Sequence, residues 1–268
     1  MMNRDFGYVG PGLNTQRLVN RDSRKIMMAN RSALKARLPL GGAPMMAAAS
    51  ACPFRPENLG LKVSDFHNQN PYAAPKPEDS NGPCPMLNIL RNHGIVPRDG
   101  VVTGQQLVEG LVAVGFDRSM CQFLASSVVK EIAGGDMNQS FPLEALYDTS
   151  VEHKASLRHE GKSKELDQGF IADIEKFFET HDQISREDLA AFQAEKLAEE
   201  NGTARDRIIG LLEWGGLMMG RFGKDGAVSK DDFMDFIQER MPRGLDDRKP
   251  VGLGSGLLGA IKMWWQGK

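Results

Sequence analysis

Basic excess, cysteine and long apolar runs are all scarce in this chain, and each scarcity narrows what it can be. Its 33 Lys and Arg are outnumbered by 35 Asp and Glu, for a net charge of −2. No positive field is available to neutralise a phosphate backbone, so nucleic acid is not an expected partner. Three cysteines, Cys52, Cys84 and Cys121, are too few and too scattered for a disulfide framework. No apolar run approaches the roughly 18 residues of a membrane-spanning helix. Strand-type alternation is missing as well.

What is present is organised in three parts. Residues 1–50 are rich in Arg, Asn and Ser, with only Asp5 and Asp22 as acids before the apolar patch MMAAAS. They lack the early apolar core of a secretory signal and resemble an organelle transit peptide or a flexible tail. The expected location is intracellular, organellar if that segment is a leader. Residues 51–248 form the expected domain, and 249–268 a C-terminal amphipathic tail.

Beyond residue 100 the periodicity is helical. Leu107, Leu111 and Val114 recur at i, i+4, i+7; Leu124, Val128 and Ile132 repeat every fourth position; Phe170, Ile171, Ile174, Phe177 and Phe178 form a wide apolar face. Segment 205–220 is apolar enough to be buried on most sides, and 231–241 is striped by Phe233, Phe236, Ile237 and Met241. The fold class read from this is all-α, one compact helical domain with a few very short β segments.

One small element recurs at 99–107, 181–189 and 225–233: a turn, a β-branched residue, Thr or Ser, then Gln or Asp three positions later. Thr103, Ser185 and Ser229 are helix N-caps with a capping-box partner, and the Val or Ile segments before them are candidates for tiny ladders. A calcium loop is the competing reading of 225–233, but its register places Arg221 and Gly223 where oxygen ligands belong.

The densest chemistry lies in PEDSNGPCPMLNILRNHGIVPRDG, residues 77–100. Pro85 suits the first turn of a helix and Gly94 the residue beyond its end, which makes Cys84 the N-cap of a helix over 85–93. A sulfur there faces unpaired amides and the positive end of the macrodipole, both favouring thiolate. Such a group serves as nucleophile, redox switch or metal ligand, or it is an inert cap; no second cysteine lies nearby to resolve a disulfide.

The whole stretch resembles the haem-binding signature of the haem-thiolate peroxidases, the fungal chloroperoxidase and unspecific peroxygenase family. The shared elements are Pro83-Cys84-Pro85, Leu87-Asn88, Asn92-His93-Gly94 and Pro97-Arg98-Asp99-Gly100. The resemblance implies that Cys84 is the proximal ligand of haem b iron, whose anionic sulfur favours cleavage of a peroxide O–O bond. At 150–161 a second likeness implies that Glu152, the His153 carbonyl and Ser156 hold a magnesium or manganese ion against a haem propionate, an all-oxygen site of the kind hard ions prefer. FIQERMPRGL, 236–245, is similar to the family's Glu-Arg-Leu-Pro segment.

Two departures stand beside these likenesses. Lys154 replaces an Asp that, in the chloroperoxidase branch, orients the preceding histidine, and a cation cannot accept that histidine's N–H. The family's distal glutamate has its best counterpart in LLEWGGLMMG, where aligned glycines put Gly216 at the acid's place and Glu213 one turn earlier. Glu213 or His153 is then the expected proton-handling group; the competing reading pairs Glu213 with Arg207 or Arg221. Gly215, Gly216 and Gly220 allow close approach to a macrocycle or to another helix.

In the tail, Leu257, Leu258, Ile261, Trp264 and Trp265 fall on one helical face. Docking of that face onto the domain is the expected outcome, with peripheral membrane contact the alternative. The functional expectation is a peroxidase or peroxygenase using hydrogen peroxide on a small, apolar organic substrate. Its rival is a haem-binding protein of the same fold with little turnover.

Overall fold

The computed structural model describes residues 68–157, 165–243 and 251–266. The expectations for the N-terminal segment and Cys52 lie outside them. Helix α1 (Pro85–Asn92) leads to β1 (Val101–Thr103), α2 (Gly104–Ala113), α3 (Arg118–Ile132), β2 (Ser140–Pro142) and a 3₁₀ turn, Leu143–Asp148. Then come α4 (Gln168–Phe177), β3 (Gln183–Ser185), α5 (Arg186–Glu199) and α6 (Ala204–Leu211). The chain continues from α6 as a π-helical segment, Leu212–Met218, and regains α geometry over Met219–Phe222. Strand β4 (Ala227–Ser229), α7 (Lys230–Ile237) and α8 (Leu253–Gln266) complete the order. The mainly helical class holds.

The helices begin where hydroxyls and carboxylates supply the missing acceptors. Thr103 and Ser185 close reciprocal capping boxes with Gln106 and Asp188, and Ser229 accepts from the Asp232 amide. Thr203 and Asp206 make a further box at the start of α6 that the recurring pattern did not reveal. Two antiparallel ladders form: Ile184 pairs with Val228, so the second and third recurrences lie side by side, whereas Val102 pairs with Phe141. Each ladder ties two helix starts together.

The core gathers one apolar face from each element. Ile89 and Leu90 of α1, Leu107 and Val108 of α2, and Val129 of α3 are buried, as are Ile174, Leu189, Phe222 and Phe233 further along. Helix α8 does not pack as its apolar stripe predicted. Its small residues face the domain instead: a Cβ on Gly216 would lie 2.9 Å from the Gly256 carbonyl oxygen, and one on Gly259 would strike the Gly215 carbonyl. Gly256 and Ala260 are buried while Leu257, Leu258, Ile261 and Trp265 are exposed. Close backbone approach, available only without side chains, outcompetes burial of the larger residues on this side. The Trp264 side chain lies outside the described set.

Candidate functional site

Cys84 is fixed by a network that begins with the next turn of its own helix. Asn88 accepts from the Gly82 amide and donates to the Gly82 carbonyl, both at 2.9 Å, and its Nδ2 also donates to Glu239 Oε1 at 2.6 Å. The segment entering Pro83-Cys84 is thus held as though by a strand partner. Glu239 adopts φ of 58°, a left-handed conformation costly for a side-chain-bearing residue. That turn lets its carboxylate reach Asn88 while its carbonyl accepts from Asn92 Nδ2 at 3.0 Å. His93 joins the same junction: the Met241 amide donates to Nε2 at 3.0 Å, so Nδ1 carries the proton and donates to the Asn70 carbonyl at 2.8 Å. The first and third sequence blocks therefore interlock, with Asn88, Asn92 and His93 as proximal supports.

The Cys84 thiol departs from the expectation based on its cap position. It makes no capping hydrogen bond, and its pKa is pushed up to about 12, first by burial and then by the Glu213 carboxylate. The nearby Met86 and Leu87 amides pull the other way but do not compensate. Desolvation outweighs the helix terminus. A thiolate here requires a cation to replace the proton, which a coordinated metal does outright. Cys84 is half-buried, and it lines the cleft.

That cleft encloses about 1080 Å³ of empty space counting its open mouth. Its walls are mostly aliphatic, including Leu107, Leu111, Met120, Leu124, Val128 and Leu212, with Phe116 the one benzene ring among the described lining residues. The polar side chains among them are Glu152, His153, Ser156 and Glu213, besides the thiol, with no Lys or Arg among the described lining residues.

The distal group rests on two irregular pieces of backbone. Ala155 has φ of 57°, and this left-handed residue allows His153 and Ser156, on either side of it, both to face the cleft. It is held by its amide to Glu200 Oε2 at 2.9 Å and by the Trp214 indole to its carbonyl at 3.1 Å. The π segment supplies Glu213. Insertions of this kind recur at functional sites because they re-aim side chains within a continuous helix. Leu212 and Glu213 line the cleft while Trp214 is fully buried and Gly215 and Gly216 lie under α8.

Glu213 Oε2 accepts from the Leu157 amide at 3.1 Å and lies 3.6 Å from His153 Nε2. Burial raises its pKa above the ordinary 4.5; His153, the Leu157 amide, Lys196 and the Ser156 hydroxyl pull it back. The groups that hold Glu213 are His153, the Leu157 amide and the Ser156 hydroxyl in place of the arginines expected from the sequence, and Arg221 Nε donates to the Val114 carbonyl at 2.7 Å. The Lys154 departure is also resolved, since His153 Nδ1 donates at 2.7 Å to the backbone carbonyl of Lys154, an acceptor independent of side chain. The Lys154 ammonium meanwhile binds the Glu200 carbonyl at 2.7 Å and the Asn201 carbonyl at 3.2 Å, a cation at the C-terminus of α5. Gly216, the aligned position of the acid, is a packing residue.

The divalent-ion set remains an inference from chemistry. Glu152, His153 and Ser156 share one loop and all line the cleft, and no cluster of three or more His, Cys, Asp or Glu occurs among the described residues. Glu200, Trp214, Lys196 and Glu239 are supports that sequence reasoning missed.

An all-α domain with a half-buried cysteine at a helix start and a Glu–His pair sharing one apolar cleft defines a candidate haem-thiolate protein. The family model "Peroxidase, family 2" matches residues 70–250, and the chain belongs to that family. Over 105 residues it is 30% identical to a chloroperoxidase of Leptoxyphium fumago, covering 36% of this chain and 28% of that one. It is also 40% identical over 57 residues to an aromatic peroxygenase of Coprinellus radians, covering 21% of this chain and 22% of the relative. A third match, 38% identical over 68 residues, is to an aromatic peroxygenase of Cyclocybe aegerita, covering 25% of this chain and 18% of the relative. Each match spans less than a third of the relative's own length.

Proposed function

We propose that the chain is a haem-thiolate peroxidase or peroxygenase that uses hydrogen peroxide to oxidise or oxygenate a small, uncharged, apolar organic molecule. The observation that carries this reading is the placement of Cys84 and the Glu213–His153 pair on one apolar cleft. The residues present fit a haem. An apolar macrocycle would suit the aliphatic walls, the Cys84 thiol would hold its iron, and Glu152 and Ser156, which also line the cleft, would hold a magnesium or manganese ion. With no Lys or Arg among the described lining residues, such an ion would offset the negative charge of Glu152 and of a haem's carboxylates. When bound through Cys84, haem supplies a thiolate-ligated iron that favours O–O cleavage.

The chain's own part is proton handling and exclusion of water. Because the Lys154 carbonyl can only accept, His153 Nδ1 carries a proton and Nε2 presents its lone pair toward Glu213 when the ring is neutral. A proton on either Nε2 or Oε2 makes that 3.6 Å contact electrostatically attractive. Glu213, its carboxyl raised by burial, takes a proton from hydrogen peroxide and returns it to the departing oxygen as water. His153 holds the carboxylate in place and stabilises its charged form. The aliphatic walls admit apolar substrates.

This arrangement favours turnover over binding alone, since the proton group lines the cleft although it is not at the aligned position. The test is peroxide-dependent oxidation of an uncharged donor by the haem-loaded chain. Sustained turnover is expected; tight haem binding with no turnover would overturn the catalytic reading.

A further inference from the structure

The apolar stripe of α8 is exposed although the helix is firmly seated. Leu257 is 55% exposed, Leu258 59%, Ile261 42% and Trp265 67%. At helical spacing these four lie within an arc of roughly 100°. The patch does not end with α8. Ile208 is 62% exposed and Leu212 39%, one turn apart on the helix that carries Gly216 a further turn along, beneath Gly256. Helix α8 also contacts α6 directly. Six large apolar side chains on two contacting helices are thus exposed, and Leu212 also belongs to the cleft wall.

We infer that this surface docks on an anionic lipid bilayer and presents the cleft mouth to it. Three features choose that occupant. The tail from Lys249 to Lys268 carries three lysines and no acid, and one of them, Lys262, is exposed on α8 one turn beyond Leu258, while the chain as a whole is net negative. Basic residues beside an apolar stripe complement anionic headgroups. A second copy docked face to face would bring Lys262 and its neighbours against their own likeness, at a repulsive cost. Trp265, with an apolar body and a polar N–H, suits the headgroup level. No described helix is long and apolar enough to cross a membrane, so the contact is with one leaflet. The aliphatic cleft, which Leu212 helps to line, would then receive lipid-dissolved substrate directly. The docking itself needs no haem, so it stands or falls apart from the peroxidase reading.

The experiment is flotation of the full-length chain with phosphatidylcholine vesicles and with vesicles in which about a third of the lipid is phosphatidylserine. Binding is expected chiefly to the second. The combined Leu257→Gln, Leu258→Gln and Trp265→Gln variant should lower the bound fraction at least about tenfold. Lys262→Glu should erase much of the preference for the anionic vesicles. All four side chains are exposed, so thermal melts should match wild type; should the triple variant melt early, Ile208→Gln on α6 gives the same reading from the other helix. The proposal is overturned by absence of flotation with both vesicles or by binding indifferent to these substitutions. It is equally overturned by a concentration-dependent dimer, seen in light scattering, that the triple variant dissociates.

Discussion

Replacing Glu213 by Gln separates the proton-transfer role from every structural one. Gln is isosteric, and its amide oxygen still accepts from the Leu157 amide that now lies 3.1 Å from Oε2. The Ser156 contact survives, and no buried charge is left behind, so the fold should persist. What is lost is a group that exchanges a proton. Positioned general acid–base groups contribute about 10²–10⁴-fold, and the expected fall in peroxide-driven kcat/KM is in that range. Stability supplies a second signature. Because burial raises the folded carboxyl above the ordinary 4.5, the native state of wild type binds this proton more tightly than the unfolded chain. Its stabilising contribution is therefore present below about pH 4.5 and lost as pH rises through the folded value. Denaturant titrations of the haem-free chain should show wild type losing stability across that window relative to Glu213→Gln. Stopped-flow peroxide consumption on haem-loaded protein checks the kinetic half. A rate within about threefold of wild type, with the fold intact, would refute the assignment of the distal acid.

Other outcomes follow from the supports. Asn88→Ala removes the acceptor of the buried Gly82 amide and one donor to the Glu239 carboxylate and should cost about 1–3 kcal/mol by chemical denaturation, with loss of haem retention. Gly216→Val drives a side chain into the Gly256 backbone and should destabilise by about 1–3 kcal/mol while leaving isolated cleft residues unchanged, measured as a lower Tm with α8 more open to proteolysis. Glu152→Gln should abolish any gain in haem retention that magnesium or manganese gives the wild-type chain, read by absorbance during chelator titration; an unaltered gain places the ion elsewhere.

The parts of this molecule legible in its sequence are those governed by neighbours in the chain. Pro85 and Gly94 bound α1, and hydroxyls at 103, 185 and 229 start helices, because caps and turns are decided within four residues. Cys84 stood out for the same reason. The pKa of its thiol did not follow, since desolvation depends on residues far away such as Glu213. The Asn88–Glu239 bond joins residues 151 apart, and only the folded chain shows that the first and third blocks meet. Ala155 and Glu239 in left-handed conformations carry no local signal, because neither residue type favours it. Helix α8 misled in an instructive way. Its amphipathic stripe was visible, but which face turns inward was settled by glycines on two helices that fit each other.

The central claim is that Cys84 sulfur binds haem iron as a thiolate despite a free thiol pushed up to about 12. The most direct measurement is the absorbance spectrum of the ferrous carbon monoxide complex in wild type and Cys84→Ala. A Soret band at the red-shifted position of thiolate ligation, absent from the variant, is the expected result. A wild-type band at the position of nitrogen ligation, or a spectrum that the substitution leaves unchanged, would contradict it.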